Sequence, residues 1–200
     1  MPAILRQTNG MEYEMTLEVR DSLPDALQVL LHDYPRVGWP LDANFDGLVR
    51  FWLDRHLAFR RLMGLMQAET AQFLDRNADP RVFASRLSRL GGQFVGDLQG
   101  HHQIEDAHYF PALSALESRI AAGFDLLDSD HHALDLHLEG FVTSANGVLT
   151  RLDDRHAMQT AAGTFARDLA GLEGLLNRHL IDEEDLVVPV ILRHGAGALG

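Results

Sequence analysis

The chain has 200 residues, 46% of them hydrophobic and distributed along its length, which is enough for one sizeable domain with an appendage and too little for two full domains. A formal net charge of −12, with no block of Lys or Arg, lacks the basic footprint that holds nucleic acid or anionic lipid. The absence of Cys excludes disulfides, thiolate metal ligands, iron–sulfur ligation and thiol nucleophiles together.

The N-terminus, MPAILRQTNGMEYEM, has no apolar core of signal-peptide length, and no apolar run reaches the roughly 18 to 20 residues of a membrane span. The expectation is a soluble, cytoplasmic protein with neither a nucleic-acid nor a membrane partner. Met11, Tyr13, Met15, Leu17 and Val19 alternate with charged or polar neighbours, a period of two that predicts a strand or extended arm. SLPDALQVLLHDYP reads as a short helix stopped at Pro35, and YPRVGWPLDANF as a Pro-rich connector packed over the main body.

From about Asn44 onward the pattern is helical. Four long segments, about 44–75, 80–117, 124–152 and 155–192, are separated by RNADP, ESRIAAG and LDDRH, which are rich in residues that cap or break helices. Short connections between helices of that length predict antiparallel neighbours. The expected fold is all-α: an up-down-up-down antiparallel four-helix bundle over 44–192, an N-terminal extension over 1–43 and a flexible tail over 193–200.

Eleven histidines are a high count for this length. HHQIEDAHYFP and HLIDEEDLVVP, beginning at His101 and His179, share the skeleton H-x-x-x-E-[DE]-x-x-x-x-P. Helical spacing puts His56 on a face with Val49, Trp52, Leu53, Phe59 and Met63, and His101 with Phe94, Leu98 and Tyr109. It puts His131 with Phe124, Leu127, Leu134 and Leu138, and His179 with Leu172, Leu175, Leu176 and Leu186. Each long helix thus aims one His into apolar surroundings, and Glu105 and Glu183 stand one turn after two of them. Burying imidazoles and ionised carboxylates together costs several kcal/mol, on the order of what a bound cation would offset. His and Glu at i and i+4 present nitrogen and oxygen on one face, so the two fragments read as halves of one metal site, completed by His56 and His131. Pro111 and Pro189, each ten residues past the His, are where proline would end or kink a helix.

His102 and Asp106 form a second i, i+4 pair, but the apolar stripe selects His101 with Glu105 and leaves His102 on a mixed face, at the boundary or behind a ligand. His132 is similar. Asp135, one turn after His131, either ligates, orients a ligand or pairs at the bundle edge. Tyr109 reads as a core aromatic whose hydroxyl can approach the site. His32, His108, His137, His156 and His194, with Asp106 and Glu184, read as surface residues. The four glycines of LGGQFVGDLQG weaken a helix by about 1 kcal/mol each relative to Ala and imply close packing or a kink.

With these ligands in view the chain resembles the hemerythrin-like, or HHE cation-binding, family over about residues 44–192. FWLDRHLAFR, HHQIEDAHYFP, DHHALD and HLIDEEDLVVP carry the resemblance: a lone His on the first helix, H-x-x-x-E on the second, His on the third and H-x-x-x-E on the fourth. The resemblance implies a non-haem di-iron centre with bridging carboxylates, ligated by His56, His101, Glu105, His131, His179 and Glu183, with zinc as a substitute metal. It implies a small diatomic ligand, O2 or NO, that is bound or sensed, or a report on iron. The alternative is a di-iron enzyme acting on peroxide or NO, or in iron-centre repair; a structural zinc site is a third reading. Oxygen-carrying members have a second His one turn after the first on the third helix, where this chain has Asp135, so oxygen transport does not carry over.

Overall fold

A computed structural model describes residues 15–45 and 47–199. Among them there is no strand, and the long elements are helices. The predicted N-terminal strand falls partly on residues 11–14, outside the described residues, while 15–19 are turns rather than extended chain. Thr16 O accepts hydrogen bonds from Val19 N and Arg20 N, which closes the backbone on itself. The next stretch is not one helix: a 3-10 turn, Asp25–Leu27, precedes α1, Val29–Asp33, and the connector winds into a second 3-10 turn, Arg36–Leu41.

Three of the long helices are α2, Gly47–Leu74, α3, Pro80–Ile104, and α5, Ala121–Leu149; the longest is α6, Arg155–His194. Between α3 and α5 lie a π turn, Glu105–Tyr109, a short α4, Phe110–Leu116, and a 3-10 turn, Ser118–Ile120. The boundaries follow from capping. Asp79 Oδ1 accepts from the backbone N–H of Arg81 and Val82, with Pro80 in the first turn where its missing N–H costs nothing. Asp154 Oδ1 does the same for His156 and Ala157 at the start of α6. Gly195, at φ 77°, ends α6 in the left-handed conformation, and its N–H bonds Ile191 O at 2.7 Å.

The two prolines behave differently from expectation. Pro189 lies inside α6, which continues for another turn because Val187, Val188, Val190, Ile191 and Leu192 around it are all buried and hold the backbone in place. Pro111 sits in the first turn of α4, directly after the π turn. Proline cannot donate to the carbonyl four residues back and its ring crowds that carbonyl, so a widened turn just ahead accommodates it.

The chain divides into two compact units, each discontinuous in sequence. The first comprises Met1–Leu53, Glu105–Ala133 and Asn177–Gly200. Its core joins Leu23, Leu27, Leu30 and Trp39 of the N-terminal segment to Trp52, Phe110, Phe124 and the buried run 186–192. Residues 193–199, expected as a flexible tail, complete α6 and form a 3-10 turn, Ala196–Leu199, in which Ala196 and Leu199 pack against this core. The second unit comprises Asp54–Ile104 and Leu134–Leu176. Its core is aromatic: Phe73 stacks on Phe83 at 4.5 Å, and Phe94, Phe141 and Phe165 meet in successive ring contacts of 5.6 and 5.4 Å. Of the four glycines on α3, only Gly91 has a close neighbour, the Phe141 ring 3.6 Å from where a Cβ would stand, and α3 runs unbroken through all of them.

Candidate metal centre

In the first unit four of the predicted residues meet. Glu105 opens the π turn, His131 comes from α5, and His179 and Glu183 come from consecutive turns of α6. All four are buried, Glu105, His179 and Glu183 completely. His131 Nε2 lies 3.2 Å from His179 Nε2 and 3.6 Å from Glu105 Oε2, and His179 Nε2 lies 3.5 Å from Glu183 Oε2. Glu105 and Glu183 bring carboxylate oxygens within 4.8 Å of each other, which closes a ring of donors.

The far edge of each imidazole is held by an aspartate. His131 Nδ1 is 2.8 Å from Asp106 Oδ1, and His179 Nδ1 is 3.4 Å from Asp130 Oδ2. A carboxylate can only accept, so each ring donates from Nδ1 and turns the Nε2 lone pair toward the other ring. Two lone pairs at 3.2 Å repel unless a cation, a proton or a metal ion, stands between them. Imidazole nitrogens that ligate one ion at about 2.1 Å in tetrahedral or octahedral geometry stand roughly 3.0 to 3.4 Å apart, the separation observed. A shared proton brings one positive charge to a cluster with two buried carboxylates, whereas a divalent ion brings enough to balance both. Burial first, and the neighbouring Glu183 charge next, push the Glu105 carboxyl well above its usual range, which is the electrostatic cost a bound cation would remove.

Apolar and aromatic groups wall this cluster. Phe110 stacks on His131 at 5.5 Å between ring centres, Trp52 Nε1–H donates to Glu183 Oε1, and Tyr109 meets Trp52 edge-on at 4.9 Å. The second unit carries a similar feature: His56 Nε2 and His101 Nε2 are 3.2 Å apart, His56 fully buried, with Phe59 at 5.2 Å from the His101 ring. His and Glu groups of this kind, with ligand atoms this close, can hold a metal ion.

The other predicted residues fall into two sets. His102 is buried and not on a boundary face. Its burial exceeds that of His101, against the stripe argument. His132 and Asp135 are exposed, and His132 Nδ1 turns back to Asp128 O of its own helix at 2.9 Å. His32, His108, His137, His156 and His194 are exposed, as expected. Asp106 and Glu184 are not simply surface acids: Asp106 receives His131, and Glu184 is buried in an ion pair with Arg36 at 2.7 Å. Sequence reasoning missed Arg20, Asp130, Asp182 and the hydrogen-bonding role of Trp52. Asp130 and Asp182 each directly precede a predicted ligand in the chain, the one signal that marked them.

A family model, the hemerythrin HHE cation binding domain, matches residues 47–191. No curated protein and no solved structure gives a match.

Proposed function

Because the chain belongs to the hemerythrin HHE cation-binding family, we propose that it holds two non-haem iron ions within an up-down bundle of its four long helices and uses them to bind or sense O2, NO or iron availability. His56, His101, Glu105, His131, His179 and Glu183 would hold the ions, with zinc as a substitute. The observation that carries this reading is the facing Nε2 pair of His131 and His179, each ring fixed from behind by an aspartate, beside two buried glutamates. The short connections at 75–79 and 150–154 support antiparallel pairing of α2 with α3 and of α5 with α6.

Iron at these residues would supply an open coordination position and a one-electron couple. The protein's own contribution is orientation and exclusion of water. Trp52 fixes the rotamer of Glu183, and Phe110 covers one face of His131. Asp135 is exposed and stands outside this donor set, so the position that holds a second His in oxygen-carrying members contributes no donor to it. One observation favours the enzymatic alternative, turnover of peroxide or NO: the side chain of Asp106 is 35% exposed while its Oδ1 takes the His131 Nδ1 hydrogen, a route by which a proton can leave the buried cluster.

Metal analysis of the purified protein, with optical spectra recorded anaerobically and again after O2 or NO, tests the proposal. About two irons per chain and a new ligand-dependent band that reverses on removing the gas is the expected result. A band that decays with oxidation of added reductant shifts the reading to the enzyme. One zinc and no spectral response overturns both in favour of a structural site.

A further inference from the structure

The N-terminal segment lies ahead of the region that the family model matches, which begins at residue 47. Nevertheless it sends one side chain into the buried surroundings of His179. Arg20 is almost fully buried. Its guanidinium takes both oxygens of Asp130, Nη2 to Oδ2 at 2.5 Å and Nη1 to Oδ1 at 3.2 Å, while its Nε donates to Asp182 Oδ2 at 3.0 Å. Nη1 also closes its own segment through Met15 O at 2.6 Å. A second tie runs the other way: Arg178 pairs with Asp182 and donates to the backbone carbonyl of Asp21 at 2.6 Å.

Replacing buried ion pairs by well-packed apolar residues is often neutral or stabilising, because desolvation of each charge offsets its Coulombic gain. Stability alone therefore gives no reason to place one here. Its position does. Asp130 Oδ2, gripped by Arg20, is the oxygen facing His179 Nδ1, and Asp130 and Asp182 are chain neighbours of His131 and Glu183. A guanidinium is planar and presents paired donors in a fixed fork, so it sets the rotation of the carboxylate plane as well as supplying charge.

We propose that Arg20 is a positioning residue of the metal centre, holding the Asp130 carboxylate so that it receives the Nδ1 hydrogen of His179 and presents Nε2 for ligation. The inference rests on His179 being a metal ligand, as proposed above. It makes the N-terminal segment a working part of the centre instead of an appendage. Partners at this remove from a metal change its affinity by about 10- to 100-fold when altered.

The test uses the full chain loaded with iron(II) under anaerobic conditions, and reads the rate of iron loss to excess chelator and the reduction potential of the loaded protein. Arg20→Lys keeps the charge but cannot grip both Asp130 oxygens and Asp182 together. It should release iron about 10-fold faster, shift the potential and leave the melting temperature of the metal-free protein close to wild type. Asp130→Asn should likewise release iron faster and shift the potential, and in both readouts the double variant should be no worse than Asp130→Asn alone, since Arg20 acts through Asp130. Arg20→Gln, which keeps one donor to Asp130, is read in the same way if Arg20→Lys yields no folded protein. Wild-type iron release and potential in the Arg20 variant, or effects that add in the double variant, overturn the proposal. His179→Ala separates the two levels: if it retains full iron, the ligand assignment itself has failed; if it loses iron while Arg20 variants do not, only the positioning role has.

Discussion

At the scale of single residues, the cluster of His131, His179, Glu105 and Glu183 is defined by what stands behind each imidazole as much as by the facing nitrogens. His131 and His179 are legible in the sequence because helical spacing puts them among leucines and phenylalanines, and Glu183 because it follows His179 by one turn. Asp106 was not legible. A regular helix separates it from the face of Glu105, but the π turn over Glu105–Tyr109 changes which side chains share a face, so Glu105 is buried while Asp106 reaches His131. Arg20 and Asp130 were illegible for a different reason: they meet across 110 residues of chain, a pairing that no local period encodes. Two predictions belong here. Asp106→Asn leaves His131 without a carboxylate behind it and should lower iron affinity by about 10-fold with little effect on folding, measured by chelator competition. Trp52→Phe removes the donor to the fully buried Glu183 and keeps most of the packing volume. It should destabilise the metal-free protein by about 1 to 3 kcal/mol in chemical denaturation, and a variant as stable as wild type would show that the indole N–H does not support that carboxylate.

At the scale of elements, the long helices were readable because their ends carry explicit chemistry, Asp79 with Pro80 and Asp154 at the starts and Gly195 at the last end. Over 15–19 the period of two does not give a strand, because an isolated strand needs a neighbour to pair with; no strand occurs among the described residues, and 15–19 close into turns. Glycines give the sharpest contrast between similar sequence signals. On α5, a Cβ at Gly123 would stand 2.8 Å and 2.9 Å from the two methyls of Leu186, which is fully buried. Gly92, on an exposed position of α3, has nothing within 4 Å. Nothing in the structure explains why α3 tolerates glycine at Gly92, Gly96 and Gly100. Gly92→Ala should therefore stabilise by up to about 1 kcal/mol through helix propensity. Gly123→Ala should destabilise by about 1 kcal/mol, since roughly 1 to 3 kcal/mol of overpacking outweighs the same propensity gain. Thermal melts of the two metal-free variants should move in opposite directions; equal shifts would mean that Leu186 yields freely.

At the scale of the whole molecule, a chain with a formal net charge of −12 depends at low pH on the acids whose charged form folding favours. Glu117 is the clearest of these. It terminates α4, and its carboxylate accepts from Arg119 at 2.6 and 3.0 Å, with Arg193 at 3.5 Å and His194 at 3.6 Å. The hydrogen bond from Arg119, opposed by burial and aided by the charges of Arg119 and Arg193, holds the carboxyl down at about 2. The folded value is below the unfolded one, so the folded state binds fewer protons across the interval between them. The stabilisation is therefore complete above about pH 4.5 and is lost as the pH falls through about 2. Arg119 is half exposed, and solvent screening of that pair limits the contribution to on the order of 1 kcal/mol. Glu117→Gln cannot make that pH-dependent contribution. Acid titration of the metal-free protein should show wild type more stable than the variant at pH 6, with the difference shrinking steadily between about pH 4.5 and pH 2. Using the metal-free form keeps proton competition at the proposed His and Glu ligands out of the comparison. A difference that stayed constant down to pH 2 would show that Glu117 supports the end of α4 by its packing and not by its charge.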